Sequence, residues 1–438
     1  DPDTLFEVSY DRSRGWAKYA HGMMDGSQFD RDSYAVKFER AHLSPVVEKL
    51  TLNFNHNTID HIMDNYTFRP GGTRGMEVKR IQYSIRSVLD LTFSPKDTGA
   101  VGIDIGHEEH TFTPAMKGMP RGRENTDMTI GNLGIFMEYN HDLTERSRLL
   151  GGLRWDRVTS HYHRYMTFTP GDTTDNAVSG FVRWENTAKK QPLTFYVGLG
   201  HAERPADYWE AYHTWRAHGA SHPSTTRPAK EKNTQLDLGW VYAGEKTNAS
   251  LSLYYAHIHD FILRLPQIGM GMNARTPYGN VNARLYGFEA EITRTVSPLW
   301  TLGASLAYTR GDDRTNDAPL PQIAPLEANL TAKYSHKKAE ANAVWRLVSK
   351  QNRYHRGYGS VTGTDYGPTG GFGILSLSLA YRPDENLTFS LGVDNLLNKT
   401  YAEFVNYSEA AIPALGISAG GHITEPGRTL WLKGSYKF

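Results

Sequence analysis

The C-terminal stretch, residues 386–438, alternates strictly between apolar and polar residues. The apolar positions are Leu387, Phe389, Leu391, Val393, Leu430, Leu432, Tyr436 and Phe438, and the polar positions between them include Thr388, Ser390, Asp394, Thr429, Lys433, Ser435 and Lys437. A period of two residues indicates β-strands with one apolar and one polar face. The sequence stops on the apolar aromatic Phe438, and we expect such an ending in a strand that closes a membrane barrel.

The composition favours a membrane barrel over a soluble core. The 438 residues include 25 Tyr, 9 Trp and 17 Phe, yet only 39% are hydrophobic, and the mean hydropathy is −0.54. Lipid-facing bands and aromatic girdles around a polar lumen produce this combination. The net charge of +1 indicates no nucleic-acid surface. No apolar run approaches about 18 residues, so no transmembrane helix is predicted, and the lack of cysteine excludes disulfides and cysteine-based metal sites within these residues.

Short and long connections alternate along the chain. The predicted short turns are 11–15, 43–45, 95–98, 142–147, 189–191, 244–246, 296–298, 336–338 and 383–385. Longer loops rich in Gly, Pro and Asn lie between them. Periplasmic turns and extracellular loops alternate in this way in outer-membrane barrels, which predicts one barrel across residues 1–438 instead of several domains.

The strand count predicts that the barrel is not closed by these residues alone. We count about 19 alternating segments, from 4–10 to 429–438, so the first and last strands are expected to run in the same direction. Bacterial single-chain barrels have an even number of strands, which predicts an odd number before Asp1, most simply three. The total of about 22 is the size at which outer-membrane transporters hold a plug in the lumen.

Two C-terminal segments resemble the signature of TonB-dependent outer-membrane receptors. They are Val393-Asp-Asn-Leu-Leu-Asn-Lys-Thr-Tyr401 and Glu425-Pro-Gly-Arg428, followed by the closing Tyr-Lys-Phe. The resemblance implies a barrel in the cell outer membrane, with the N-terminal plug domain and first strands missing from these residues. It also implies contact with the TonB complex through that missing part, with the plug, and with outer-membrane lipid and lipopolysaccharide.

Methionine is concentrated in the predicted outer loops and at their edges. Ten of the 11 methionines lie there, namely Met23, Met24, Met63, Met76, Met116, Met119, Met128, Met166, Met270 and Met272. Only Met137 lies within a predicted strand. These methionines either pack the loops against one another, as flexible apolar side chains do, or offer thioethers, which suit Cu(I).

The segment His61-Ile62-Met63 is the main candidate metal site. Leu52 and Phe54 mark the lipid face of the strand that leads into it, so the odd positions, including His61 and Met63, are expected to face the lumen together. An imidazole and a thioether on one face form half of a soft metal site. Secondary candidates are His21, Met23, Met24, Met270 and Met272.

Three strings resemble the TonB-dependent copper receptors of the OprC/NosA group. They are His61-Ile-Met-Asp-Asn-Tyr-Thr-Phe-Arg-Pro70, Gly22-Met-Met-Asp-Gly-Ser-Gln-Phe29 and Arg204-Pro-Ala-Asp-Tyr-Trp-Glu210. In that family a His-x-Met of the barrel combines with a Cys-x-x-x-Met of the plug to hold copper. The resemblance therefore implies that His61 and Met63 are the barrel half of the site, and that copper, as Cu(I), is the transported substrate.

Other functions remain open from the sequence. A siderophore or haem receptor would use Arg and aromatic side chains in loops such as 206–216 and 353–357, and a passive porin would need an open lumen. No nucleophile–base arrangement or phosphate loop is found, so no enzyme is predicted. Asp207-Tyr-Trp-Glu210 is expected to begin a short helix over the barrel mouth.

Four further histidines occur in two pairs at strand ends. His161 and His163, like His257 and His259, are expected to be polar residues of the lumen rather than metal ligands. His107 and His110 are not expected to share a strand face.

Overall fold

A computed structural model describes residues 2–19, 24–163, 170–217, 227–268, 276–406 and 421–437. The strands are β1 Thr4–Ala17, β2 Asp25–Ala41, β3 Val47–Asp64, β4 Arg74–Ser94, β5 Asp97–Met116, β6 Asn125–Thr144, β7 Ser147–Tyr162, β8 Gly171–Thr187, β9 Leu193–Arg204, β10 Glu231–Ala243, β11 Thr247–Arg264, β12 Tyr278–Thr295, β13 Trp300–Asp313, β14 Ala318–Pro319, β15 Glu327–His336, β16 Ala339–Val348, β17 Gly359–Ser360, β18 Gly363–Thr364, β19 Phe372–Tyr381, β20 Leu387–Asp394 and β21 Thr429–Tyr436. The helix α1, Tyr208–Ala217, lies in the connection between β9 and β10.

The strands form one antiparallel sheet in chain order. Of the 21 strands, β14, β17 and β18 have two residues each, and the other 18 form the wall. Each wall strand pairs antiparallel with the next one along the chain, from β1 with β2 to β20 with β21. This confirms the predicted large antiparallel barrel wall.

The connections between wall strands alternate in length, as predicted. Only residues 95–96 separate β4 from β5 and only 337–338 separate β15 from β16, whereas 205–230 separate β9 from β10. All short turns therefore lie at one end of the wall and all long loops at the other.

The predicted turn at 11–15 is wrong. These residues belong to β1 and pair residue by residue with Phe29–Ser33 of β2. Arg14 forms ion pairs with Asp30 at 3.3 Å and with Asp32 at 2.7 Å. Charged side chains that pair across strands allow the sheet to extend beyond the lipid band. The sequence of such a segment is as polar as that of a turn, which explains the wrong prediction.

This correction changes the direction of the first strand. Neighbouring wall strands alternate in direction, so with 18 of them β1 and β21 run in opposite directions. The parity argument for an odd number of further strands therefore does not hold. Within the described residues, β1 pairs only with β2 and β21 only with β20, as predicted.

Cross-strand register gives the wall an apolar outer face. Leu391 lies opposite Leu379 and Leu432, and Leu430 lies opposite Val393. Ser390 and Lys433 oppose each other on the other face, as expected from the alternation. No helix among the described residues is long and apolar enough to cross a membrane.

Aromatic side chains mark the two edges of the lipid-facing band. Towards the long loops, His56 stacks between Tyr34 and Tyr83, with ring-centroid distances of 6.0 and 4.6 Å. Towards the short turns, Trp300 lies 5.0 Å from Tyr334. Aromatic girdles of this kind sit at the two membrane–water interfaces of outer-membrane barrels.

Buried apolar clusters lie at the long-loop end of the wall. They consist of Met128, Tyr162, Tyr208, Ala211 and Tyr212; of Ile258, Ala283 and Leu320; and of Val348, Phe372 and Ile374. Each cluster packs loop or strand-end residues onto neighbouring strands. The loops are therefore anchored to the wall, which positions the residues described below.

A charge on the lipid-facing side should destabilise the barrel, whereas a charge on the lumen side should not. Leu330 of β15 lies between the two girdles, 43% exposed, opposite Ala304 and Trp345. We expect Leu330→Lys to lower the free energy of unfolding in lipid vesicles by about 2–4 kcal/mol. Thr331→Lys, one residue along on the lumen face, is the matched control. Equal effects of the two substitutions, measured by denaturant titration, would show that the faces are assigned wrongly.

Candidate metal site at the outer rim

His61 and Met63 lie near the end of β3 at the long-loop end of the wall. Both occupy odd positions and so share the face opposite to that of Leu52 and Phe54. His61 lies five positions beyond His56 of the aromatic girdle, which places His61 beyond the membrane interface. The two side chains therefore face the lumen side of the wall at the outer rim, where they were expected.

Met76 of β4 is directly opposite Met63. Directly opposed residues of antiparallel strands have Cβ atoms about 5 Å apart. Met76 is 39% exposed, and Met116 at the end of β5 lies diagonally beyond it, because Met76 pairs with Pro114. The rim therefore carries one imidazole and two adjacent thioethers on the same face, with a third thioether one step away.

The ring of Phe29 holds His61 in place. Phe29 lies opposite His61 in β2, and the two rings stack with centroids 5.2 Å apart. A Cβ at Gly26 would lie 2.0 Å from the Phe29 ring, so glycine at this position leaves room for that ring. Burial lowers the pKa of His61, and the nearby imidazole of His110 adds to the effect while Asp60 opposes it. A lower pKa favours the neutral imidazole, which is the form that binds metals.

An ion pair ties together the loops on either side of this site. The Arg69 guanidinium donates Nε and a terminal nitrogen to the two Asp25 carboxylate oxygens, at 2.8 and 2.7 Å, and both residues are buried. The same guanidinium donates to the Tyr19 carbonyl at 3.0 Å, and the Tyr19 N–H donates to Asp25 at 2.9 Å. The Arg69 hydrogen bonds hold the pKa of Asp25 below its usual value. We call this arrangement the Asp25–Arg69 clamp.

The loop after β3 begins with a capped turn at Asp64. The Asp64 carboxylate accepts hydrogen bonds from the N–H groups of Tyr66 and Thr67 at 3.0 and 2.6 Å, and from the Thr67 hydroxyl at 2.7 Å. Such side-chain-to-backbone bonds fix the turn locally. The cap and the clamp together fix the direction in which the chain leaves Met63.

Helix α1 begins where the sequence predicted, at a reciprocal cap. The Glu210 N–H donates to the Asp207 carboxylate at 2.8 Å, and the Asp207 N–H donates to the Glu210 carboxylate at 2.9 Å. This is a capping box, which satisfies two free N–H groups at a helix start. Arg204 binds the Glu210 carboxylate with both terminal nitrogens, at 2.7 and 3.1 Å. The helix is thereby anchored to the end of β9.

The first turn of α1 contacts a buried polar pair of the wall. The Tyr208 hydroxyl donates to the Asp127 carboxylate at 2.7 Å, and His110 Nδ1 lies 3.2 Å from the other Asp127 oxygen. The rings of Tyr208 and His110 stack at 3.6 Å. The described residues of the three segments that resemble the copper-receptor group, 24–29, 61–70 and 204–210, therefore lie around one sector of the rim that is formed by β2 to β6 and α1.

The secondary candidates are placed only in part. Met24 immediately precedes β2, and its carbonyl oxygen lies 3.5 Å from the Arg69 guanidinium. His21, Met23, Met270 and Met272 lie outside the described residues.

The two histidine pairs that were expected in the lumen lie on the outer face. His257 pairs with Arg284 in β12 and shares the face of Tyr255 and Leu253. His161 shares the face of Leu153 and Trp155 and binds Asp172 at 2.7 Å. Strand ends reach beyond the membrane, so polar residues there are accommodated on the outer face in water.

His107 and His110 do lie on opposite faces, as expected. His107 opposes Tyr83 of the aromatic girdle, whereas His110 opposes Arg80 and Met128.

The donor set of the rim restricts which metals it suits. Within the part of the chain that the structure describes, no three His, Cys, Asp or Glu side chains are grouped so that they would hold a metal ion. The cluster of His61, Met63 and Met76 offers nitrogen and thioether sulfur instead. Such soft donors suit Cu(I) and disfavour magnesium, calcium and manganese.

Sequence reasoning missed the partners of the predicted pair. Met76 was one loop methionine among ten, and nothing in the sequence marks it as the residue opposite Met63. The Phe29–His61 stack and the proximity of His110 also depend on the register between strands. The segments around Phe29 and His61 resemble the same receptor group, and this resemblance is the one sequence signal that links them.

Breaking the Asp25–Arg69 clamp should free the loop after β3 without unfolding the wall. Arg69→Gln leaves the buried Asp25 carboxylate without its cation, and removing one partner of a buried pair costs about 3–5 kcal/mol. We expect faster amide hydrogen exchange in residues 65–73 and unchanged exchange in the wall strands. Arg74→Gln, at an exposed position next to the loop, is the control. Unchanged protection of 65–73 in the Arg69 variant would show that the clamp does not hold the loop.

Comparison with known proteins supports this architecture. The family model described as TonB dependent receptor-like, beta-barrel, matches residues 1–396. Among solved structures, the copper transporter OprC superposes with a TM-score of 0.93 at 36% sequence identity, covering 100% of this chain and 70% of that one. No curated protein sequence matches.

Two more distant structures show the same fold. The FrpB iron transporter from Neisseria meningitidis superposes with a TM-score of 0.73 at 15% identity, covering 100% of this chain and 70% of that one. A mutant of the ferric enterobactin receptor PfeA from Pseudomonas aeruginosa superposes with a TM-score of 0.75 at 17% identity, covering 100% of this chain and 68% of that one. With the match over residues 1–396, the chain belongs to the TonB-dependent receptor β-barrel family and is an outer-membrane transporter that crosses the membrane with its strands.

Proposed function

We propose that this transporter imports copper, bound at the extracellular side of the lumen by His61 and Met63. The observation that carries the proposal is the direct opposition of Met63 and Met76, with His61 on the same face two residues away. The likeness to the copper transporter OprC at 36% identity supports the same substrate.

The chemistry of the rim favours copper in its reduced form. Thioethers are uncharged soft ligands, so they bind Cu(I) by polarisability and offer little to hard cations. The neutral imidazole favoured at His61 provides a nitrogen donor without a proton to displace. Met24, Met116 and Met119 at the same rim supply weaker thioether contacts along the path of the metal from the outside to His61 and Met63.

The remaining parts of the transport system are proposed from the family. A plug domain within the lumen would supply further donors facing His61 and Met63, and the TonB complex would supply energy through that plug. The barrel described here would contribute the wall, the rim and half of the metal site.

A siderophore or haem receptor is the main alternative. Its loops would present arginine and aromatic side chains towards the lumen. Here Arg204 forms an ion pair with Glu210, and Arg353 forms one with Asp312. In the described part of the loops, these arginines are therefore engaged in structural ion pairs.

Removing the donors while keeping the packing tests the proposal. His61→Phe keeps a ring to stack on Phe29, and Met63→Leu keeps an apolar side chain opposite Met76. We expect the double variant of the full-length receptor to lose tight copper binding, with a Kd at least about a hundredfold higher, because two of the soft ligands are gone. The measurement is the metal content of purified receptor after exposure to Cu(I), repeated with zinc and iron.

A lipid-facing methionine provides the matched control. Met137 is 53% exposed on the outer face of β6, and Met137→Leu should leave copper content unchanged. Met76→Leu should give an intermediate loss. Equal copper in wild type and double variant, or a wild type that retains iron chelates in preference to copper, would refute the assignment.

A further inference from the structure

A group of arginines lies on the outer face of β12 and β13, just beyond the aromatic girdle. Tyr286 and Tyr308 belong to this girdle, with Tyr255 6.4 Å from Tyr286 and Phe288 6.0 Å from Tyr308. Arg284 and Arg310 follow two residues further towards the long loops on the same face, and the Arg284 guanidinium lies 5.4 Å from the Tyr286 ring centre. These cations therefore lie at the depth where membrane lipids carry their headgroups.

The arginines converge on a single carboxylate. Asp312, 8% exposed, accepts a hydrogen bond from Arg284 at 2.6 Å and another from Arg353 at 2.6 Å. Arg310 Nε lies 3.6 Å from the same carboxylate. Three guanidiniums thus share one negative charge, and we call this group the Asp312 arginine cluster.

Two other arginine positions beyond the girdle have more carboxylates around them. Arg14 on β1 faces the two carboxylates of Asp30 and Asp32. Arg204 at the end of β9 faces those of Glu210 and Glu231. Neither position has the ratio of three guanidiniums to one carboxylate that the Asp312 arginine cluster has.

The cluster has unused hydrogen-bond donors. The Nε atoms of Arg284 and Arg310 are buried and have no hydrogen-bond partner among the described residues. Next to them, Arg310, Arg353 and Lys350 line a cavity of 90 Å³. Buried donors without acceptors are costly. The Arg284 and Arg310 side chains are 32% and 38% exposed, so an anionic acceptor can reach the guanidinium groups.

We propose that the Asp312 arginine cluster binds the phosphate of a lipid headgroup in the outer leaflet, from a phosphorylated glycolipid of the lipopolysaccharide class. Guanidinium forks match phosphate oxygens in bidentate geometry. The acyl chains of such a lipid would lie along Leu302, Leu306 and Ile292, which are exposed on the same face below the girdle. A metal cation would be repelled by three guanidiniums, so the cluster does not serve the metal cargo.

Binding of a phosphorylated lipid to stripped receptor tests this site. Wild-type receptor, freed of lipid in detergent, is titrated with fluorescent diphosphorylated lipid A. The triple variant Arg284→Gln, Arg310→Gln and Arg353→Gln should bind at least about tenfold more weakly, because charge-assisted hydrogen bonds to phosphate are lost. Arg14→Gln is the matched control and should bind like wild type. Equal affinity of the triple variant and wild type would overturn the proposal.

Two further arms separate a lipid headgroup from free phosphate. Dephosphorylated lipid A should bind about as weakly as the triple variant, and inorganic phosphate at millimolar concentration should not displace the lipid. Equal binding of the dephosphorylated lipid, or full displacement by inorganic phosphate, would overturn the assignment to a lipid headgroup.

A milder variant guards against misfolding. If the triple variant does not show the heat-modifiable migration of a folded barrel, Arg310→Gln alone is tested, because Arg310 makes the longest contact with Asp312. It should weaken binding about threefold. A single variant with wild-type affinity would count against the site.

Discussion

The hydrogen-bond ladder between neighbouring strands is the constraint on which the rest of this structure depends. In the bilayer core there is no water to satisfy a backbone N–H or C=O, so each wall strand must pair along its length. Once the strands pair, the register decides which side chains share a face and which ones meet across strands. The opposition of Met63 to Met76, and of His61 to Phe29, follows from the same ladder that keeps Leu391 beside Leu379.

Beyond the girdles the outer face of the wall no longer has to be apolar, and most of the specific polar contacts lie there. Charged side chains reach water at the strand ends, and they tie loops to strands through specific pairs. The Asp25–Arg69 clamp, the Asp207–Glu210 capping box and the Tyr208–Asp127 bond each fix one loop or helix start. Together with the buried apolar clusters at the same end of the wall, these contacts hold the loops around the rim donors.

The period-two pattern predicted the faces and nearly all the turns, because each strand carries that information in its own residues. It failed where a strand extends beyond the lipid, as at Asp11–Gly15. Charged residues in that segment have the composition of a turn, so the pattern predicted a turn instead of a strand. It also placed His257 and His161 in the lumen, because polarity alone does not separate a lumen residue from an outer residue above the membrane. Met76 was not distinguished, since the partner of Met63 depends on the length of the intervening loop.

The two sites proposed for the rim would discriminate between ligands by different physical means. On the lumen side, the proposed site of uncharged thioethers and a neutral imidazole would select a metal by softness, so long-range charge would contribute little to the choice. On the outer side, three guanidiniums around Asp312 act through charge and fork geometry, which favours phosphate and repels cations. Solvent and salt screen charges beyond about 8–10 Å. The outer cluster lies on β12 and β13, away from the β3–β4 donors, so its positive potential would not oppose entry of the proposed metal substrate. A single-layered wall can therefore hold a cation site and an anion site on opposite faces, provided that they lie in different sectors of the barrel.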